Sequence, residues 1–191
     1  MSLPDAGQRR AAVAVLLRPW GAEDVAFLFI KRAEDPRDPW SGHMAFPGGR
    51  VDPRDADPLA TARRETREEV GLDLEASAIL LGRLDELQAS AKGRRLPLII
   101  TPFVFAWEGE NDALGGGDPE LIFNDEVEAI HWIRGRELRD PAAVGTTPYV
   151  FGGKRYDLPC LHVQGRTIWG LTYQMLMHFF DVVGWPRPSR L

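Results

Sequence analysis

The sequence predicts an α/β fold in which a mixed β-sheet lies between helices. Short apolar segments with strand-like composition alternate along the chain with segments whose apolar residues recur at helical spacing. The chain has 191 residues, 44% of them hydrophobic, which suffices for the core of one compact domain. We therefore expect a single domain over residues 1–184 and a disordered tail over residues 185–191, which contain Pro186 and Pro188.

Strands are expected where apolar and β-branched residues form short runs bounded by turn residues. In chain order these runs are residues 11–17, 25–31, 78–87, 99–107 and 127–133, followed by a hairpin over 149–163 that turns at Gly152 and Gly153. The basic stretch 88–97 is expected to be a hairpin or loop, and the glycine-rich stretch 108–119 a mobile loop. Apolar spacing predicts helices over residues 58–70, 135–139 and 168–183.

The helix over residues 58–70 is the most clearly marked of these. Asp57 suits the N-cap, Pro58 the first helical position and Gly71 the C-terminal stop. A stripe of small and apolar residues is centred roughly 100° from the glutamates of the same helix; it consists of Leu59, Ala62, Thr66 and Val70. One face can therefore dock on the sheet while the acidic face looks into a cleft.

Three acidic residues of this helix point to a metal site. Glu65, Glu68 and Glu69 lie at spacings of three and four, so they are neighbours that repel one another. Oxygen ligands with high negative charge suit Mg²⁺ or Mn²⁺. Upstream, Gly48 and Gly49 predict a tight loop whose backbone can approach a ligand, and the Gly49 carbonyl is a candidate further metal ligand. A solvated helix face is the simpler alternative, but it does not explain the glycine pair.

At these residues the chain resembles the Nudix hydrolase family. The family's box, a glycine, a spacer and Arg-Glu-x-x-Glu-Glu-x-Gly-Leu, is matched by Gly49 and residues 64–72. The spacer has one extra residue, so either Asp55 or Asp57 is a candidate partner of Arg64. The fold that the resemblance implies is the Nudix α/β/α sandwich, which agrees with the alternation of strands and helices.

The resemblance also implies an enzyme, a pyrophosphohydrolase that cuts a diphosphate linked to a nucleotide. In the family, the residues that match Glu65 and Glu69 bind metal directly. The residue that matches Glu68 binds a further metal or its water, and the one that matches Arg64 orients the acids. Metal ions are needed because they offset the charge of the diphosphate and lower the pKa of bound water.

The segment upstream of the box resembles the coenzyme A pyrophosphatases within this family. Their signature is matched at Leu28, Arg32, Ala33, Arg37, Gly42 and residues 46–49, with departures at Phe29 and Ile30 and one extra residue before Gly42. Residues 168–172 resemble the same subgroup. The implied substrate is coenzyme A or a derivative, cut to 3′,5′-ADP and 4′-phosphopantetheine. Arg32 and Arg37 are expected to hold its 3′-phosphorylated ADP end, beside the Gly48 backbone, because guanidinium groups match phosphate geometry.

A general base has to take a proton from the attacking water. Some Nudix enzymes use a carboxylate of a later loop, and the candidates here are Glu120, Asp125, Glu126 and Glu128. We choose Glu126, because it leads directly into a predicted strand. Two alternatives stay open: Glu126 is an ordinary surface acid, or Glu68 acts through a metal-bound water.

Several other residues with chemical potential are expected to be structural. His43 and His131 each stand alone in an apolar context, and Trp132 and Trp169 suit core packing better than stacking on adenine. Cys160 is the single cysteine, so an intrachain disulfide is excluded and a buried position is expected.

Composition limits the partners. The net charge of −5 argues against a nucleic-acid-binding surface, and no segment has the apolar length of a membrane span. With no secretory signal visible, a cytoplasmic protein is expected. The basic group Lys92, Arg94 and Arg95 is expected to be a solvated loop. The sequence does not set the oligomeric state, and a homodimer is one of the options.

Two competing hypotheses stay open. The first keeps the enzyme class and changes the substrate to ADP-ribose, a nucleotide sugar or a nucleoside triphosphate. The second is a Nudix-like module that senses a nucleotide without turnover. The complete set of Arg64 and the three glutamates argues against the second, because a pure sensor does not need the full metal set.

Overall fold

A computed structural model of the protein describes residues 7–36, 40–91, 94–108, 121–122 and 124–189. The strands are β1 (Arg9–Trp20), β2 (Asp24–Arg32), β3 (Met44–Ala45), β4 (Gly48–Arg50), β5 (Ala78–Arg83), β6 (Leu87–Ala91), β7 (Arg94–Trp107), β8 (Val127–Arg134), β9 (Val144–Phe151), β10 (Lys154–Val163) and β11 (Arg166–Trp169). The helices are α1 (Pro58–Val70), α2 (Leu74–Ser77), α3 (Gly135–Leu138) and α4 (Gly170–Val182), with a 3₁₀ turn at Pro141–Ala143.

Within these residues the strands form two sheets. The larger sheet is mixed: β1 runs parallel to β7, whereas β2 and β4 pair with β1 in antiparallel fashion. Strand β2 also carries β3 and β8, and β7 carries β5 and β6. The smaller sheet is an antiparallel meander of β9, β10 and β11. The predicted mixed sheet is thereby confirmed, and a second sheet is added to it.

The central strand β1 shows how the sheet is covered on both sides. Successive side chains of a strand point to opposite faces. Ala12, Ala14 and Leu16 pack in the core cluster that contains residues of α1, whereas Val13 and Val15 pack in the cluster that contains residues of α4. Apolar side chains are therefore buried on both faces, which explains the continuous apolar run at 11–17 and confirms a sheet sandwiched between helices.

Some element boundaries differ from those that the sequence predicts. The segment 78–87 is two strands, because β5 and β6 pair with different parts of β7. The last helix begins at Gly170, two residues later than predicted, because Ile168 and Trp169 pair with β10 in β11. Within the stretch 88–97, β6 pairs with β7 in antiparallel fashion, which agrees with the hairpin that is one of the two options predicted, while residues 92 and 93 lie outside the described residues. Most of the glycine-rich stretch 108–119 lies outside the described residues.

The start of the C-terminal tail is packed against the domain, contrary to the disorder predicted from residue 185. The Trp185 ring contacts the rings of Phe27, Phe179 and Phe180 at centroid distances of 6.3, 5.9 and 5.6 Å. The guanidinium of Arg187 donates to the carboxylate of Asp181. The division between domain and tail otherwise stays a prediction. None of the helices in the described parts of the chain has the length and apolar character to cross a membrane.

Candidate active site

Helix α1 begins and ends where its sequence predicts. The Asp57 side chain caps the helix by accepting a hydrogen bond from the Ala60 N–H at 2.8 Å, and Pro58 occupies the first turn. At the other end, Gly71 has a left-handed φ of 76°, and its N–H donates to the Arg67 carbonyl. The helix thus holds its acidic residues at defined positions beside the strand pair β1 and β4.

The glycine pair brings backbone into contact with two of the three glutamates. Gly48 has a φ of +150°, and a Cβ there would lie 2.3 Å from the Ala12 carbonyl oxygen. The N–H of Gly48 donates to Glu69 Oε2 at 2.7 Å. A Cβ on Gly49 would lie 2.5 Å from Glu65 Oε1. Only glycine at position 48 lets β4 lie this close to β1, whereas a side chain at position 49 would displace the carboxylate of Glu65.

Arg64 ties the acidic face of α1 to the preceding loop. Its Nε and Nη2 donate to the two carboxylate oxygens of Asp55 at 3.0 and 2.9 Å. Its Nη1 donates to Glu65 at 2.9 Å and to Glu68 at 3.0 Å. The open choice between the two aspartates is therefore decided: Asp55 pairs with Arg64, while Asp57 caps the helix. The bidentate pair holds the pKa of Asp55 well below its usual range.

Glu69 is the most deeply buried of the acids, with 2% of its surface exposed. Burial raises its pKa to about 8, against the lowering effects of the Gly48 N–H and the Arg32 guanidinium. The negative charges of Glu65 and Glu126 raise the same pKa further. Burial also raises the pKa of Glu65, which Arg64 partly offsets. Because both carboxylates are costly to charge when buried, binding of a cation that offsets their charge is favourable.

The described residues contain no ready-made cluster of three His, Cys, Asp or Glu side chains that could hold a metal ion. The hydrogen bonds explain this finding, because Glu65 and Glu68 are turned to Arg64, and Glu69 accepts from Gly48. The chemistry of the donors nevertheless fits a hard divalent cation. All three are carboxylates, and two of them are substantially buried beside the backbone of Gly49.

Glu126 lies close enough to the acidic face to affect it electrostatically. Its charge raises the pKa values of both Glu65 and Glu69. Its backbone carbonyl accepts a hydrogen bond from the Ala33 N–H at 2.8 Å, which links the start of β8 to the end of β2. Among the other candidate bases, Glu128 is instead paired with Lys31 at 2.6 Å, and Glu120 lies outside the described residues.

The two arginines predicted to bind phosphate have different outcomes. Arg32 lies at the end of β2 with Nη1 3.9 Å from Glu69 Oε1, so its charge faces the acidic group. Arg37 lies outside the described residues, as does Lys92 of the basic group. The roles of Arg32 and Arg37, like those of the other predicted site residues, stay predictions.

A cavity of about 770 Å³ opens beside the glycine pair. Its lining includes Gly48, Gly49 and Arg32, and it also includes a group of aromatic side chains, here called the aromatic wall. The rings of His43 and Trp169 lie 4.6 Å apart, and Tyr149 lies 5.8 Å from Trp169. These three side chains come from the segment before β3, from β9 and from β11, which the fold brings together. The volume is that of a typical small-molecule site.

Most of this aromatic wall is not predicted by the sequence, and the expectations for two of its residues are wrong. Trp169 and His43 line the cavity, whereas core packing and a purely structural role were expected for them. Trp132 does pack against the core, and Cys160 is buried as expected. A signal for the wall existed: the turn at Gly152 and Gly153 sets the register of the hairpin, so that Tyr149 pairs with Tyr156 on one face.

The family model described as the NUDIX domain matches residues 7–150. The human mitochondrial coenzyme A diphosphatase is 30% identical over 168 residues, which cover 86% of this chain and 66% of that protein. An uncharacterized protein of Schizosaccharomyces pombe is 37% identical over 119 residues, covering 53% of this chain and 36% of that protein. This chain therefore spans between about a third and two thirds of these relatives.

Solved structures give the same answer for the fold. A MutT/nudix family protein from Enterococcus faecalis superposes with a TM-score of 0.58 at 17% identity, covering 96% of this chain and 65% of that one. At this identity the likeness concerns the fold, which is the mixed sheet between helices described above. Because the family match extends over well over half of its length, the chain belongs to the family of NUDIX-domain proteins.

Proposed function

We propose that this protein hydrolyses a diphosphate linked to a nucleotide, with coenzyme A or a derivative of it as the substrate and Mg²⁺ or Mn²⁺ as the cofactor. The observation that carries the proposal is the position of the buried Glu69. Its carboxylate accepts the Gly48 N–H at one end of a cavity large enough for a nucleotide derivative. Hydrolases of this family generally need divalent metal ions, and a buried acid with a raised pKa suits such a role.

In this proposal Glu65, Glu69 and the Gly49 carbonyl hold the ion, and Glu68 holds a further ion or its water. When bound, the metal offsets the charge of the diphosphate and lowers the pKa of water. The chain's own residues supply the positioning. Arg64 fixes Glu65 and Glu68 through one guanidinium nitrogen, and the Gly48 N–H fixes the carboxylate of Glu69.

Glu126 is proposed as the base that takes a proton from the attacking water. In its favour, its charge acts on both Glu65 and Glu69, so it lies near the two acids that are proposed to hold the metal ion. The water oxygen forms a bond to one phosphorus of the diphosphate while the bridging oxygen leaves with the other. For coenzyme A the two products are 3′,5′-ADP and 4′-phosphopantetheine.

Two observations support a coenzyme A species over other diphosphates. The human relative is named a coenzyme A diphosphatase, and its match covers 86% of this chain. The lining of the cavity combines apolar and aromatic side chains with the Arg32 guanidinium and the backbone of the glycine pair. A substrate with a diphosphate and a long organic moiety matches such a combination. The cytoplasmic location and the homodimer stay predictions, and the human relative is by name mitochondrial.

The test is a substrate panel with Mg²⁺ and with Mn²⁺, in which products are identified by mass. The panel contains coenzyme A, acyl-coenzyme A, ADP-ribose, nucleotide sugars and nucleoside triphosphates. We expect coenzyme A species to be cut fastest, giving 3′,5′-ADP. Preference for another member would keep the metal chemistry and reject the proposed substrate. Binding of nucleotides without any hydrolysis would favour the sensing module instead.

A further inference from the structure

A second recess, of about 500 Å³, adjoins the main cavity at the His43 and Trp169 ring pair. His43, Met44 and Trp169 line both this recess and the main cavity, so the two spaces are neighbours that share a wall. The remaining lining differs in character from the aromatic cavity, because it includes Lys31, His131 and Arg166. Nothing in the proposed hydrolysis uses these three side chains.

Strand pairing brings two of the three basic residues to one face of the sheet. His131 in β8 lies opposite Phe29 in β2, and Lys31 follows Phe29 by two residues. Since side chains alternate along a strand, Lys31 and His131 point to the same face. The third, Arg166, comes from β11 of the smaller sheet. The charges of Arg166 and Lys31 both lower the pKa of His131, in addition to burial, so all three groups lie close together.

The turn between β10 and β11 holds Arg166 in place. Gln164 has a φ of 51° and Gly165 a φ of 73°, so two consecutive residues adopt left-handed backbone conformations. The Gln164 side chain donates to Glu137 at 3.2 Å, which supports the turn. The Arg166 Nη1 donates to the Gln164 carbonyl at 2.6 Å. The guanidinium is therefore oriented before any ligand binds, which lowers the entropy lost on binding.

The charges of the recess leave a net positive balance. Lys31 is paired with Glu128 at 2.6 Å, and Glu128 is 46% exposed. Across the described parts of the chain, Arg166 has no carboxylate within 4.0 Å, and its hydrogen bond goes to a neutral carbonyl. A guanidinium in this state has donors that match the oxygens of a phosphate group. The lysine ammonium and a histidine N–H add further donors.

We infer that this recess binds a phosphate monoester that the substrate carries in addition to its diphosphate. The inference rests on the proposed function, because it assumes that the diphosphate lies at the glycine pair in the adjoining cavity. It also assigns separate roles to the basic residues of β2. Arg32 faces Glu69 and the diphosphate end, whereas Lys31, on the neighbouring position, faces the recess.

Calorimetry without metal tests the recess directly. We expect adenosine 3′,5′-bisphosphate to bind at least about tenfold more tightly than adenosine 5′-monophosphate, since charge-assisted hydrogen bonds contribute that much. Arg166→Gln should remove most of this difference and leave the affinity for the monophosphate unchanged. Arg136→Gln, which removes the same charge from a 63% exposed position on α3, is the matched control and should change neither affinity.

Lys31→Gln is a second, independent variant. It removes one positive charge from the recess, and it also leaves the Glu128 carboxylate without its lysine partner. It should weaken the bisphosphate by about tenfold or more, since a lost attraction is joined by repulsion. Two results would overturn the inference: an equal loss of affinity for both nucleotides in either folded variant, or no loss of affinity for the bisphosphate.

Steady-state kinetics separate this inference from the proposed function. Arg166→Gln should raise KM for coenzyme A about tenfold and leave KM for dephospho-coenzyme A unchanged, because only the former has the additional phosphate. If the wild-type protein hydrolyses both substrates with equal KM, the recess is not a phosphate site and the proposed hydrolysis stands. If it hydrolyses neither but the calorimetric difference is present, the proposed function fails and the recess stands.

Discussion

The acidic end of the candidate site, which is the group of Asp55, Arg64 and the glutamates of α1 beside the glycine pair, and the aromatic wall of the cavity are built in opposite ways. At the acidic end, Asp55, Arg64 and Glu69 are held by hydrogen bonds of 2.7–3.0 Å, and Glu69 is nearly inaccessible to solvent. The wall takes its rings from three separate segments, and the hairpin that supplies Tyr149 and Tyr156 is exposed, with Tyr156 45% and Val150 68% accessible. Under the proposed function, this difference assigns the chemistry to a rigid scaffold and the selection of substrate to its periphery.

The first prediction is the largest and concerns the acidic end. Glu69→Gln should lower turnover by at least about a hundredfold, because loss of a metal ligand removes several kcal/mol of charge stabilisation. The fold should persist, since a neutral amide is less costly to bury than a carboxylate. Turnover, Mn²⁺ affinity and thermal unfolding are the measurements. Glu75→Gln, on the neighbouring helix α2 with its side chain 65% exposed, is the control. Near-normal turnover in folded Glu69→Gln protein would contradict the assignment of Glu69 as a metal ligand.

The second prediction concerns the glycine loop and the fold rather than turnover. Gly48→Ala should destabilise the protein by about 3 kcal/mol, because its Cβ would overlap the backbone of β1 and its φ is unfavourable for alanine. Gly153→Ala is the matched control: its φ is +73°, but a Cβ there meets nothing within 4 Å. Gly153→Ala should lower the free energy of unfolding by only about 1 kcal/mol, which is the cost of placing alanine at a positive φ. Urea unfolding measures the free energy of unfolding of both variants. Equal losses of stability would mean that the close approach of β4 to β1 is unimportant.

The third prediction links the acidic end to pH. Asp55 has a pKa in the folded protein below its unfolded value of about 3.9. A group of this kind contributes stability that is present above the unfolded pKa and is lost as the pH falls through the folded pKa. Asp55→Asn should therefore lose about 2 kcal/mol at pH 7, the contribution of charged hydrogen bonds to Arg64, and the deficit should shrink as the pH falls below about 4.

Urea unfolding of both proteins at pH 7 and pH 3 checks this dependence. Asp181→Asn removes a carboxylate whose arginine partner is 57% exposed, and it should lose less stability at pH 7. A deficit for Asp55→Asn that does not shrink at pH 3 would show that the pairing with Arg64 is not its cause.

The smallest effect is expected at the aromatic wall. Tyr156→Ala should raise KM by about two- to tenfold with kcat unchanged, because an aromatic contact contributes about 0.5–1.5 kcal/mol to binding. Val150→Ala changes the adjacent strand on the face that does not line the cavity, and it should have no effect. A fall in kcat for Tyr156→Ala with KM unchanged would mean that the wall takes part in the chemistry. It would contradict the assignment of chemistry to the acidic end and of substrate selection to the wall.

The sequence predicts the acidic end better than the wall for a physical reason. Helix α1, its caps and the spacing of its glutamates depend on neighbouring residues, so they follow from local rules. The choice of Asp55 as the partner of Arg64 also follows locally once Asp57 is assigned to the cap. The burial of Glu69 does not follow, because it depends on β4 lying across the helix.

The aromatic wall could be predicted only in part. Its residues come from segments before β3, in the hairpin and in β11, and only tertiary structure brings them together. The apolar spacing at Ile168 and Trp169 continues that of helix α4, so local rules predict helix there. These two residues are in a strand because they pair with β10. The register of Tyr149 and Tyr156 was available from the glycine turn, but the direction in which that face points was not.

The parallel pairing of β1 with β7 has a consequence for how the chain folds. Strand β1 ends at Trp20, and β7 is not complete until Trp107, roughly 90 residues later. Contacts of such long sequence separation close slowly, because a large loop has to be ordered first. At typical rates of translation, the apolar edge of β1 waits about 5–18 s for its neighbour. During synthesis this edge of β1 is therefore exposed to aggregation and to chaperone binding until β7 has been made.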